Sequence, residues 1–124
     1  MKNLILILSV AFTSSFANAQ NCATSETIKN IQRQTDLVAA NIANVNTTRT
    51  PDGGPYQRQL WTCDSSNCQV TKDPRTKMKY LPDSPDADEN GYVAFPNIDL
   101  MYEINQMLVL EREYQIAKAD CQTQ

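Results

Sequence analysis

Residues 85–97 read PDADENGYVAFPN, and two structures compete for them. Asp86, Asp88 and Asn90 stand at alternate positions with Gly91 behind them, the order in which an EF-hand loop sets out its first oxygen ligands and its sharp turn. A calcium loop also needs a bidentate Glu at its twelfth position and a helix leading in. The twelfth residue here is Asn97, and Pro82 and Pro85 occupy the entry. The expectation is therefore a turn whose Asp and Asn side chains bond their own backbone while Gly91 supplies a positive φ. A short strand at Tyr92–Phe95 and, past Pro96, a helix should follow. No metal and no cofactor is expected.

That helix is expected over 97–121, with Asn97 or Asp99 as its cap. Its apolar stripe runs Ile104, Met107, Leu110, Tyr114, Ala117 and Cys121, widened by Leu100, Met101 and Leu108. At the other end of the chain, 24–45, Ile28, Ile31, Thr35, Val38, Ile42 and Val45 recur at alternating spacings of three and four, a heptad seam on a helix of roughly 33 Å. Thr24 or Ser25 suits its cap and Glu26 the positive end of its dipole.

Between the helices, 46–96 is rich in turn residues. Thr50-Pro51-Asp52-Gly53-Gly54-Pro55 is a turn cluster. Tyr56–Thr62 and Gln69–Lys72 look like the strands of a β-hairpin around a four-residue loop, Asp64-Ser65-Ser66-Asn67, bracketed by Cys63 and Cys68. The expected fold class is α+β and mostly helical, an antiparallel pair of terminal helices with a small hairpin and a loop-rich middle.

Composition narrows the function. Lys2, the apolar run Leu4–Leu8 and the small-x-small Ala17-Asn18-Ala19 form a secretory signal peptide over 1–19, leaving one domain over 20–124. Gln20 and Asn21 follow rather than Cys, so no lipid anchor is expected. Losing Lys2 with the leader moves the net charge from −3 to −4, which disfavours nucleic acid, whose phosphates need Lys and Arg. No second apolar stretch approaches the ~20 residues of a membrane span, so no stable insertion is expected after cleavage. The chain contains no His, which removes Ser-His and Cys-His nucleophiles and the commonest metal ligand. Asp86 with Asp88 sits in a turn, and Glu111 with Glu113 on a solvated helix face; neither pair suggests an enzyme. Asn46-Thr47-Thr48 fits a glycosylation sequon, a pattern common by chance.

Cys22, Cys63, Cys68 and Cys121 make an even set in an exported chain, and without His a C-x4-C lacks the second ligand pair of a structural zinc site. Disulfides are expected. If the terminal helices run antiparallel, Cys22 meets Cys121, and Cys63 and Cys68 already flank one loop; of three connectivities these pairs are favoured.

Two segments resemble flagellar basal-body rod proteins. AANIANVNTTRTPDGGPYQRQ (39–59) is similar to the amino-terminal signature of rod and hook subunits, and YLPDSPDADENGYVAFPNIDLMYEINQM (80–107) to the carboxy-terminal half of the proximal-rod, FlgC type. The resemblance implies a structural subunit whose terminal helices pair and pack with neighbouring subunits in a rod crossing the periplasm. Its partners would be other rod or basal-body proteins and further copies of itself. It places Asn41, Ile42, Asn44, Val45 and Asn46 on the first helix, and Asn97, Ile98, Asp99, Met101 and Met107 at the second, in packing and subunit contacts. Asn near a helix end also simply caps or turns the chain, and Ile42 and Val45 would be core in any fold. The leader, the four Cys and the short segment after Cys121 depart from the family pattern. They leave a second option, a periplasmic factor of this fold that binds rod components without being built into the rod.

Overall fold

The computed structural model describes residues 25–122; the leader, Cys22 and Thr24 lie outside the described residues. The element order is α1 (Ser25–Ala43), β1 (Arg58–Asp64), β2 (Asn67–Asp73), β3 (Thr76–Tyr80), β4 (Tyr92–Pro96) and α2 (Leu100–Gln122), an α+β chain with two separate two-stranded antiparallel sheets. Helix is the larger regular component, with 19 and 23 residues in its two segments.

α1 turns Ile31 inward, with Ile28 and Val38 half-buried beside it. Thr35, a polar member of the seam, donates its hydroxyl to the Ile31 carbonyl (2.8 Å) and so carries no unpaired group into the contact. The helix stops at Ala43, two residues before the expected Val45. Asn44 is the cause: its Nδ2 donates to the Ala40 carbonyl (2.8 Å), its Oδ1 accepts from the Thr47 hydroxyl (3.0 Å), and its carbonyl accepts from Thr47 N–H (3.0 Å). The side chain of Asn thus competes for the groups that would extend the helix, and Asn44–Asn46 become a turn.

α2 starts at Leu100 because Asp99 is its cap. Asp99 Oδ1 accepts from the N–H groups of Met101 (3.0 Å) and Tyr102 (3.2 Å), and its carbonyl accepts from Glu103 N–H (3.0 Å). Asn97, the alternative cap, instead donates to Asp73 Oδ2 (3.1 Å). The buried side chains of α2 are Glu103, Leu110 and Ala117, spaced by seven, with Met107 and Tyr114 half-buried between them and Cys121 half-buried beyond. The expected apolar face is corrected at four positions: Ile104 in the stripe and Leu100, Met101 and Leu108 beside it are exposed, while Glu103 points inward. Ile31, Leu110 and Ala117 form the apolar core between the helices, with Ile28, Val38 and Tyr114 against it.

The β1–β2 hairpin forms where expected, but tighter. Asp64 pairs with Asn67 and Cys63 with Cys68, so the strands run to the last possible residue and only Ser65 and Ser66 turn, Ser65 at a φ of 54°. A disulfide joins Cys63 and Cys68. β3 was not expected; it pairs with β4 from Thr76↔Pro96 to Tyr80↔Tyr92. Its five residues are all exposed; Met78 and Tyr80 alternate with Lys77 and Lys79, but over five residues between turn formers that alternation is too short to mark a strand by itself. Val93 and Pro96 of β4, and Ile98 just after it, are buried.

The 85–97 stretch is a turn that leads into β4. Asp88 Oδ1 accepts from the N–H groups of Asn90 and Tyr92 (both 2.9 Å), and Gly91 has a φ of +84°. A Cβ at Gly91 would stand 2.7 Å from Tyr80 Cε2. Asp86 departs from the expectation of purely local bonding. Its carboxylate accepts from Thr48 Oγ1 (2.7 Å) and from the Arg49 guanidinium, tying this loop to the segment after α1. The Thr48 hydrogen bond, and then Arg49, hold the Asp86 carboxyl below its ordinary range.

Candidate assembly surface

Two features lie back to back on the first half of α2, a buried polar layer on its inner side and an unpartnered apolar face on its outer side. The inner layer centres on Asn41 and Glu103. Asn41 is 1% exposed and pairs with the Gln59 peptide as a strand would: Nδ2 donates to the Gln59 carbonyl (2.9 Å) and Oδ1 accepts from Gln59 N–H (2.8 Å). Oδ1 also accepts from the Tyr56 hydroxyl (3.0 Å), and Nδ2 is 3.3 Å from Glu103 Oε2. Glu103, fully buried, accepts from Arg58 Nε through its other oxygen. The Arg58 guanidinium carbon sits 5.2 Å from the centre of the Tyr102 ring. Burial first, and the nearby Glu103 second, raise the Tyr56 pKa above its ordinary value, so Tyr56 remains a donor at neutral pH. Among the described residues no buried side-chain nitrogen or oxygen lacks a partner. The layer is therefore a satisfied network, the condition under which buried polar groups rigidify a fold.

Sequence reasoning placed Asn41 at a packing position but missed Glu103, Tyr56, Arg58 and Gln59. A signal was present: Glu103 lies seven residues before Leu110, itself seven before Ala117, which puts a charge on the seam.

The outer side of α2 carries Met101 and Leu108 (both 65% exposed), Val109 and Ile116, with Leu100, Tyr102 and Ile104 continuing the surface toward the helix start. Tyr102, Val109 and Ile116 recur at sevens, as do Met101 and Leu108, so the exposed apolar side chains line the helix rather than scatter over it. α2 is thus apolar on both sides, the pattern of a helix covered from two directions.

The other surface expectations distribute as follows. Asn41 and Ile98 are buried inside the subunit, Asn44 and Asp99 act at helix ends, and Asn97 holds Asp73. Ile42, Val45 and Met107 are half-buried, while Asn46 and Met101 are exposed. Among the described residues, no helix is long and apolar enough to cross a membrane.

No family model matches the chain. Curated relatives do. A flagellar basal-body rod protein FlgC of Borreliella burgdorferi is 36% identical over 109 residues, covering 64% of this chain and 72% of the relative. The FlgC of Salmonella typhimurium is 30% identical over 95 residues, covering 67% and 71%. That of Agrobacterium fabrum is 34% identical over 91 residues, covering 63% and 66%. The 36% identity extends over more than two thirds of the Borreliella burgdorferi protein, and all the members of the polar layer lie within the two segments that resemble rod subunits. The chain belongs to the FlgC family of flagellar basal-body rod proteins.

Proposed function

We propose that this protein is a structural subunit of the proximal rod of the flagellar basal body, without catalytic activity, held among its neighbours by helix packing. The observation that carries this reading is the outer face of α2, where Met101, Leu108, Val109 and Ile116 are half exposed or more. An exposed apolar surface of that kind on a small chain, interrupted only by Asn105 and Arg112, is a binding surface left open. Rod partners and further copies of this chain are the occupants, with Met101, Met107, Ile42, Val45 and Asn46 at or beside the contact.

The terminal helices are proposed to run antiparallel. Asn41, near the end of α1, bonds Glu103, near the start of α2, and Ile31, nearer the start of α1, packs with Leu110 and Ala117 further along α2. This supports the Cys22–Cys121 pairing, since it directs the first turn of α1 toward the last turn of α2. Among the described residues there is no free cysteine. The leader 1–19 would deliver the domain over 20–124 to the periplasm, an oxidising compartment suited to the Cys63–Cys68 bridge.

Complementation tests the reading. A deletion strain supplied with Leu108→Asp or Met101→Asp should make a folded, exported protein that is absent from purified basal bodies and does not restore swimming. Wild-type motility with either variant, or basal bodies from the wild-type strain that lack the chain, would overturn it.

A further inference from the structure

The two ways in which the chain packs are spatially separate. Ile31, Leu110 and Ala117 hold the far part of the helix pair by apolar contact. The base of the β1–β2 hairpin is held by polar contacts, beside the half-buried Leu60 and Trp61, which line one pocket with Leu37 and Val38 of α1. On β1, the Gln59 peptide is clamped by Asn41, and Arg58 reaches across to Glu103 and the Tyr102 ring. Beyond that base the hairpin is largely solvated: Thr62 to Asn67 are exposed, and so are Gln69, Val70 and Lys72. Trp61 and Val70, facing each other across the strands, line a shallow groove with Leu37 of α1.

Among the described residues, Glu103 is the α2 side chain that bonds both α1 and β1. It is 0% exposed, while the Arg58 side chain it holds is 18% exposed. A buried carboxylate is costly to leave unpaired, so the hairpin base cannot drift from α2 without exposing or stranding that charge.

We propose that Glu103 is a latch, a positioning residue that holds the β1–β2 hairpin in one orientation relative to the outer apolar face of α2. When the latch is removed, the hairpin opens as a unit while the helix pair persists. The hairpin and the α2 face then no longer meet a neighbouring surface in a fixed relation. The helix pair does not need the latch, because its apolar core begins about two turns further along α2, at Leu110. The hairpin keeps its own integrity through its ladder and the Cys63–Cys68 bridge.

Hydrogen–deuterium exchange of the mature protein, resolved by peptide, separates a latch from ordinary core. Two variants are compared with the wild type. Glu103→Gln removes the charge and keeps the shape, and Glu103→Ala removes the carboxylate together with its hydrogen bonds to Asn41 and Arg58. In both, amides of 58–73 should exchange at least tenfold faster, while those of 28–38 and 107–117 stay within twofold of wild type. Acceleration of the same size in the helix peptides would make Glu103 a general core residue and overturn the proposal. Unchanged exchange over 58–73 would overturn it equally.

Discussion

Leu108 and Leu110 stand two residues apart on α2 and should respond in opposite ways to the same substitution. Leu110 is 5% exposed and packs with Ile31 and Ala117; Leu108 is 65% exposed. Full burial of a Leu side chain contributes about 1.5–3 kcal/mol by transfer, and truncation adds a cavity term because the surroundings relax only in part. Leu110→Ala should therefore cost about 3–5 kcal/mol. Leu108 buries only about a third of its surface, so the transfer loss scales to roughly 0.5–1 kcal/mol, offset by a few tenths from the better helix propensity of Ala. In a domain of this size, where total stability is about 5–15 kcal/mol, the first change is a large fraction and the second is close to neutral. Urea unfolding followed by circular dichroism reads the difference as a shift of midpoint at constant slope. Incorporation into basal bodies should show the reverse order at a temperature where both variants are folded, with Leu108→Ala impaired and Leu110→Ala retained. Equal midpoints for the two variants would refute the reasoning, because they would mean that the outer face of α2 is already covered within the monomer.

Asn41→Ala should cost about 2–6 kcal/mol, since it strands both the N–H and the carbonyl of Gln59 at about 1–3 kcal/mol each. Asn41→Asp should be no better at neutral pH, because a second carboxylate would face Glu103 and the Gln59 carbonyl; denaturation midpoints of the two variants check both statements. The lowered pKa of Asp86 gives an acid signature: its contribution is complete above the unfolded value of 3.8 and is lost as pH falls through the lower folded value. Asp86→Asn should accordingly flatten the decline of the unfolding midpoint below about pH 4, and an unchanged acid limb would remove Asp86 from the account. Non-reduced peptide mapping should recover Cys22 linked to Cys121 and Cys63 linked to Cys68. Closing nearly the whole mature chain, the first bridge should stabilise by about 4–5 kcal/mol on the chain-entropy model, and a Cys22 peptide linked to Cys63 or Cys68 would refute the antiparallel helix pair.

The elements with one wet side were legible in the sequence. α1 shows its seam because the opposite face is Glu26, Lys29, Arg33 and Asp36, and the hairpin shows its ends because Cys63 and Cys68 flank a run of turn formers. The turn at 85–97 was legible through what it lacks, a Glu at position 97, and through Gly91, where only a residue without Cβ fits both the positive φ and the approach of Tyr80. β3 was not legible. Thr76–Tyr80 alternates Met78 and Tyr80 with Lys77 and Lys79 but has no buried face, and it is a strand because β4 offers it a ladder, with partners twelve to twenty residues further along the chain.

α2 was misread at Ile104 for a reason that bears on what the helix does. Periodicity finds the buried side of a helix by contrast with a polar side, and α2 provides little contrast: its inner row contains Glu103, and its outer rows contain Met101, Leu108, Val109 and Ile116. An apolar residue at 104 therefore looked like a better member of the seam than an acid at 103. Within the chain the choice is settled by partners that sequence spacing cannot display, because Asn41 and Arg58 arrive from α1 and β1 to satisfy the Glu103 carboxylate. Outside the chain the same loss of contrast has a second cause. If neighbouring subunits cover the outer face, as proposed above, its apolar side chains are ones the single chain leaves exposed, and the periodicity belongs to the assembled helix rather than to the isolated one. On the proposed reading the weak pattern of α2 and its exposed outer face are thus one property, and the helix whose inner face was hardest to place is the one proposed to meet neighbouring subunits.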